Sequence, residues 1–153
     1  MTKLKKKETI VLKDKIVNVL MKNGGKHRSE KILLKSSKLL QKSSKKSFKN
    51  LVQLAIINTT STFKLNEQVM KKGRRKSKKV TPSFIIKDSL RIMTALKYIK
   101  TTIRKNKNST NFHKSLVKEI LVSSCLKGQS VEQKTKLQAQ ILLNKRYLSK
   151  FKW

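Results

Sequence analysis

The chain has 153 residues and sets 40 Lys plus Arg against 7 Asp plus Glu, a formal net charge of +33. The seven carboxylates, Glu8, Asp14, Glu30, Glu67, Asp88, Glu119 and Glu132, are scattered singly. Acid–base and metal chemistry need such groups gathered in one place, so the sequence predicts no enzyme, no metal site and no cofactor. A content of 37% hydrophobic residues supplies one modest core at this length. The uncompensated charge predicts a polyanionic partner, nucleic acid first.

In chain order, residues 1–12 read as a basic arm and residues 13–153 as a single helical RNA-binding domain. Asp14 is placed to cap a short helix with Ile16, Val17, Leu20 and Met21 on one side, ended by Gly24-Gly25. Ser29-Glu30 opens a second helix in which Ile32, Leu33, Ser36, Leu39 and Leu40 share a face, while Lys31, Lys35, Lys38 and Lys42 point elsewhere. A third, about Ser47 to Thr59, carries the apolar stripe Phe48, Leu51, Val52, Ala55 and Ile56. Then the period changes. Lys64 to Met70 and Val80 to Ile86 predict a β-ribbon at about 64–86 with a long charged tip, and Pro82 favours a two-stranded or edge arrangement.

Asp88 is placed to cap a fourth helix with Ile92, Ala95, Leu96, Ile99 and Ile103 inward. A fifth starts at Thr110 or Asn111, turns Phe112, Leu116, Val117, Ile120 and Leu121 inward, and stops at Gly128, suited to a left-handed C-terminal position. Ser130-Val131-Glu132-Gln133 reads as the capping box of a sixth, through about Leu148. The expected fold class is therefore mainly α: six helices with one protruding β-hairpin between the third and fourth. Cys125, alone and among Leu121, Val122 and Leu126, reads as a small buried residue. No apolar run approaches the roughly 18 residues of a membrane span, and no signal-peptide region follows Lys3 to Lys7.

Three basic clusters are candidates for RNA contact. The first is the arm, Lys3, Lys5, Lys6 and Lys7, joined by Lys13, Lys15 and the Lys26-His27-Arg28 turn; such an arm becomes ordered on RNA. The second is the tract Lys71, Lys72, Arg74, Arg75, Lys76, Lys78 and Lys79, held out on two strands as a phosphate-binding finger. The third is Lys145-Arg146-Tyr147-Leu148-Ser149-Lys150-Phe151-Lys152-Trp153, where aromatics for stacking alternate with cations. Arg91, Lys97, Lys100 and Arg104 lie outside the apolar stripe of the fourth helix and complete the candidate set. His27 reads as a polar contact, and His113 has no assigned role. Phosphate contacts favour a partner recognised by shape, which suits folded RNA. With roughly 8 cations on phosphates, log K would fall against log salt with a slope of about −6.

Lys15 to Lys26, then Ser29-Glu30-Lys31-Ile32, resembles the opening of the universal small-subunit ribosomal protein seven family, in its bacterial and organellar form. The likeness continues through Ala55-Ile56-Ile57-Asn58, Thr81-Pro82, Ile85-Ile86, Ala95-Leu96-Lys97-Tyr98, Lys118-Glu119-Ile120 and Asn144-Lys145-Arg146-Tyr147 to Phe151-Lys152-Trp153. It implies a structural protein that binds the 3′ major domain of small-subunit rRNA and helps nucleate assembly of the head. It also implies that Arg74, Arg75, Lys76, Lys145, Arg146, Tyr147, Lys150, Lys152 and Trp153 lie near tRNA and mRNA at the exit sites, beside neighbouring head and platform proteins. The family's hairpin tip usually carries Gly-Gly where Arg75-Lys76 or a neighbour stands here, and its fourth-helix Trp is Tyr98. Lysine dominance, 34 Lys against 6 Arg, and a short arm without room for a transit peptide predict an organelle-encoded member in the mitochondrial matrix rather than a plastid. The competing reading is a histone-like DNA-compacting protein, with which a basic ribbon is compatible. Membranes and small-molecule substrates are not expected partners.

Overall fold

The computed structural model describes residues 12–72, 75–105 and 111–145. In chain order these form α1 (residues 12–20), α2 (Lys26–Ser43), α3 (Phe48–Thr59), β1 (Phe63–Lys72), β2 (Arg75–Phe84), α4 (Asp88–Lys105), α5 (Phe112–Ser124) and α6 (Gln129–Leu143). Six helices with a hairpin between α3 and α4 is the architecture that the apolar periodicity predicts.

Each helix buries the stripe its spacing dictates. α2 buries Ser29, Leu33, Ser36 and Leu40, α3 buries Leu51, Val52, Ala55, Ile56 and Thr59, and α4 buries Ala95, Leu96, Ile99, Thr102 and Ile103. α5 packs against α2, α3, α4 and α6, which is why Leu116, Val117, Glu119, Ile120 and Ser123 are all buried on it. Small hydroxyl side chains let the axes approach: Ser36 Oγ donates to Ile32 O at 2.8 Å and Thr59 Oγ1 to Ala55 O at 2.7 Å, so neither is left orphaned. Ile16, Val17 and Val19 of α1 close the core.

Several helix ends differ from the sequence expectation. Asp14 does not cap α1, because residues 12 and 13 are already helical. α2 begins at Lys26 with Gly25 as its N-cap, three residues before Ser29. Asp88 is the first residue of α4 and pairs with Arg91 at 3.3 Å instead of capping. α6 starts from Gly128, so Ser130 is a buried first-turn residue and no Ser130–Gln133 capping box forms. The left-handed residue after α5 is Leu126 (φ 60°), whereas Gly128 (φ 109°) serves the next helix. Cys125 is exposed at the C-cap of α5 and is not a core residue. Ser47 does cap α3, accepting from Asn50 N at 3.4 Å.

The hairpin spans nearly the expected residues, but its strands run further toward the tip. β1 and β2 pair antiparallel from Phe63↔Phe84 to Lys72↔Arg75, so most of the charged tract belongs to the ladder. Ile85 N donates to Thr62 O at 2.8 Å. Antiparallel alternation from that bond turns the nitrogen of Pro82 away from β1, so its missing donor costs the ladder nothing. Phe63, Leu65, Val80, Pro82 and Phe84 share one face. Phe63 meets Phe84 edge-on at 5.6 Å, Pro82 is fully buried, and β1 rests on α6.

Candidate nucleic-acid interface

Two parts of the predicted cationic surface are brought together by one lysine. Lys100 Nζ reaches back from α4 to donate to Val19 O and, at 3.3 Å, to Met21 O, the unsatisfied carbonyls at the end of α1. This sets the outward stripe of α4 beside the turn that joins α1 to α2. The turn is tight: Asn23 (φ 51°) and Gly24 (φ 72°) are left-handed, and Gly25 N donates to Lys22 O at 3.1 Å. Lys26, His27 and Arg28 on one side and Lys97 and Arg104 on the other are all exposed. Lys100 is half-buried. Burial lowers its pKa from the ordinary lysine value, and the positive charges of Arg104 and Lys97 lower it further.

Arg91 is placed differently from the other candidates on α4. Its Nε donates to Ile85 O at 2.7 Å, its guanidinium lies 5.0 Å from the centre of the Phe84 ring, and it pairs with Asp88. It fastens the root of the hairpin to α4. Lys100 and Arg91 thus share their charge with the fold, while Lys97 and Arg104 offer theirs to solvent. That pair, Arg91–Asp88, is the only ion pair among the described residues. Among the described residues, the other cations of this surface therefore meet no internal carboxylate.

The hairpin carries the densest run of charge. Its register sets Lys71 opposite Lys76 and Lys72 opposite Arg75, with Lys79 opposite Gln68 and the exposed Lys78 opposite Val69. Like charges directly opposed disfavour a ladder in isolation, and an anion at the ribbon removes that penalty. Lys13 on α1 and Lys145 just beyond α6 are exposed. Lys3, Lys5, Lys6, Lys7, Arg74, Arg146, Tyr147, Lys150, Lys152 and Trp153 lie outside the described residues.

Other polar groups of consequence have no local sequence signature. Asn58 Nδ2 donates to Ser123 O at 2.9 Å and Ser124 O at 3.1 Å, closing the end of α5, and Lys134 Nζ donates to Asn58 O at 2.9 Å. Partners 65 to 76 residues apart leave no periodicity to read. Among the described residues no cluster of three or more His, Cys, Asp or Glu side chains could hold a metal ion, and no helix is long and apolar enough to cross a membrane. What the surface can do is hold phosphates at fixed spacing on rigid elements.

The family described as Ribosomal protein S7p/S5e matches the chain over residues 2–142. No individual curated protein matches it.

Proposed function

The chain belongs to the ribosomal protein S7p/S5e family and is a small-subunit ribosomal protein; from that premise we propose that it binds the 3′ major domain of small-subunit rRNA and helps nucleate folding of the head. The observation that carries this reading is the exposed cationic surface of Lys26, His27, Arg28, Lys97 and Arg104, without an ion-pair partner among the described residues, together with a ribbon, fastened to α4 by Arg91, that bears Lys71, Lys72, Arg75, Lys76, Lys78 and Lys79. Positions fixed by helices hold phosphates in a set geometry, which selects a folded RNA by shape.

The basic arm and the C-terminal run from Lys145 extend the contact. Arg74, Arg75 and Lys76 at the hairpin end and the residues after α6 approach tRNA and mRNA at the exit sites, beside neighbouring head and platform proteins. Lysine-dominated composition supports a mitochondrial ribosome as the site of action.

Footprinting on the complete small-subunit rRNA tests the reading. Protection confined to the 3′ major domain is expected, with duplex DNA a poor competitor. Protection spread evenly over unrelated RNAs, or equal competition by DNA, overturns it. Recovery of the polypeptide from purified mitochondrial small subunits tests the compartment.

A further inference from the structure

Opposite its buried edge, α2 carries a row of cations that the surface described above does not use. Lys31, Lys35, Lys38 and Lys42 follow one another at i, i+4, i+7 and i+11, and all four are exposed. At 100° per residue they lie about half a turn from the line Ser29, Leu33, Ser36 and Leu40 that faces the core. The row is about 16 Å long. None of the four has an ion-pair or hydrogen-bond partner among the described residues.

Such a row is unfavourable in the free protein. Like charges at i, i+3 and i, i+4 destabilise a helix, and the first turn of α2 has no acidic residue to offset them. α3 shows that the fold does not require this pattern, since its exposed positions include Gln53, Leu54 and Ile57. Protein interfaces centre on aromatic, Met or Arg anchors and are depleted in Lys. The α2 face has no aromatic or Met anchor, and its one Arg, Arg28, stands at the N-terminal end of the row, with Leu34 and Gln41 among the lysines. Point charges on flexible stems, without aromatic platforms, suit phosphate oxygens and do not read bases.

The position gives the row a separate role. α5 packs against both α2 and α4, and each of those helices turns its cationic stripe away from the core. We propose that the outer face of α2 is a second RNA-binding surface, engaging the backbone of an RNA segment other than the one held by the α4 and hairpin surface. One rigid bundle then tethers two segments of the same folded RNA. This rests on the rRNA-binding reading above and adds a second contact to it.

The full chain and a variant with Lys31→Gln, Lys35→Gln, Lys38→Gln and Lys42→Gln are footprinted on the 3′ major domain fragment. Glutamine preserves helix propensity and removes the charges. Circular dichroism of the free variant should show α2 intact and the fold no less stable at low salt. The original chain is expected to protect two separate RNA segments and the variant only one, with the salt slope shallower by about 3 to 4. Lysine acylation read by mass spectrometry should show the four side chains shielded in the complex of the original chain. Identical protection and slope for both proteins would overturn the second surface. So would lysines that stay reactive on RNA and become shielded only when other small-subunit proteins are added, because that identifies an acidic protein partner. Failure of the original chain to protect the fragment at all defeats the rRNA reading instead, so the two failures are distinguishable.

Discussion

Glu119 of α5 accepts from Ser130 of α6 twice, from Oγ at 2.6 Å and from the backbone N–H at 3.1 Å, all on its Oε1. Ser123 Oγ adds a third bond at 3.3 Å and itself lies 2.8 Å from Ser130 Oγ. In a chain of net charge +33, one of seven carboxylates is buried as the anchor of a helix start, where a free N–H group and the positive end of the helix dipole favour an anion. Replacing Glu119 by Ala strands these donors and should destabilise the protein by about 1.5 to 3 kcal/mol. Glu119→Gln retains an acceptor oxygen and should lose less. Urea unfolding followed by circular dichroism checks both, and an unchanged midpoint for the Ala variant removes the anchor role.

Gly128 faces the same carboxylate. A Cβ there would meet Val122 Cγ1 at 3.1 Å and Glu119 Oε1 at 3.3 Å, on a backbone at φ 109°. At Gly24 a Cβ meets nothing within 4 Å, so only the left-handed φ of 72° opposes it. Gly24→Ala should therefore cost about 1 to 2 kcal/mol and Gly128→Ala more. Thermal melts of the two variants give the ordering, and the reverse ordering would contradict the close packing of α5 against the start of α6.

Arg91 holds the hairpin through the Ile85 carbonyl and the Phe84 ring. With Arg91→Ala, amide hydrogen exchange should accelerate across β1 and β2 while the amides of α5 keep their protection, because the partners of Arg91 are Ile85, Phe84 and Asp88 and none belongs to α5. The local loss should be about 1 to 2 kcal/mol. Uniform acceleration over every helix would show that Arg91 supports the whole bundle.

Lys100 should titrate below exposed lysines in nuclear magnetic resonance spectra of the labelled side chain, because burial and then Arg104 and Lys97 disfavour its charged form. Between this lowered pKa and the ordinary value of 10.5 the unfolded chain binds more protons than the folded one, so the contribution of Lys100 to stability rises with pH across that alkaline window. Lys97→Gln with Arg104→Gln should move the titration upward without restoring it fully, since burial is the larger cause. No movement would mean that the neighbouring charges do not reach it.

How far the sequence is legible depends on the distance over which each signal acts. The stripe Leu51, Val52, Ala55 and Ile56 predicts α3 to within a residue, because helical periodicity is local. Helix starts are less legible. Ser130 with Glu132 and Gln133 has the composition of a capping box, yet Ser130 turns inward because Glu119, eleven residues earlier, competes for its hydroxyl and N–H. The charged tract gave no hint that Lys71, Lys72 and Arg75 to Lys79 would be paired strand residues, since lysine is a poor strand former and the register is set by the apolar pairs Phe63–Phe84 and Leu65–Pro82.

The candidate surface divides in the same way. Residue type and order alone determined that this protein is helical and strongly cationic, suited to a polyanionic partner, with a ribbon between its third and fourth helices, because charge and apolar period are properties of neighbours along the chain. Only the tertiary structure decided which cations are free. Arg91 and Lys100 have the same sequence credentials as Lys97 and Arg104, but Ile85 and the end of α1 claim the first two through bonds that exist only once the chain has folded.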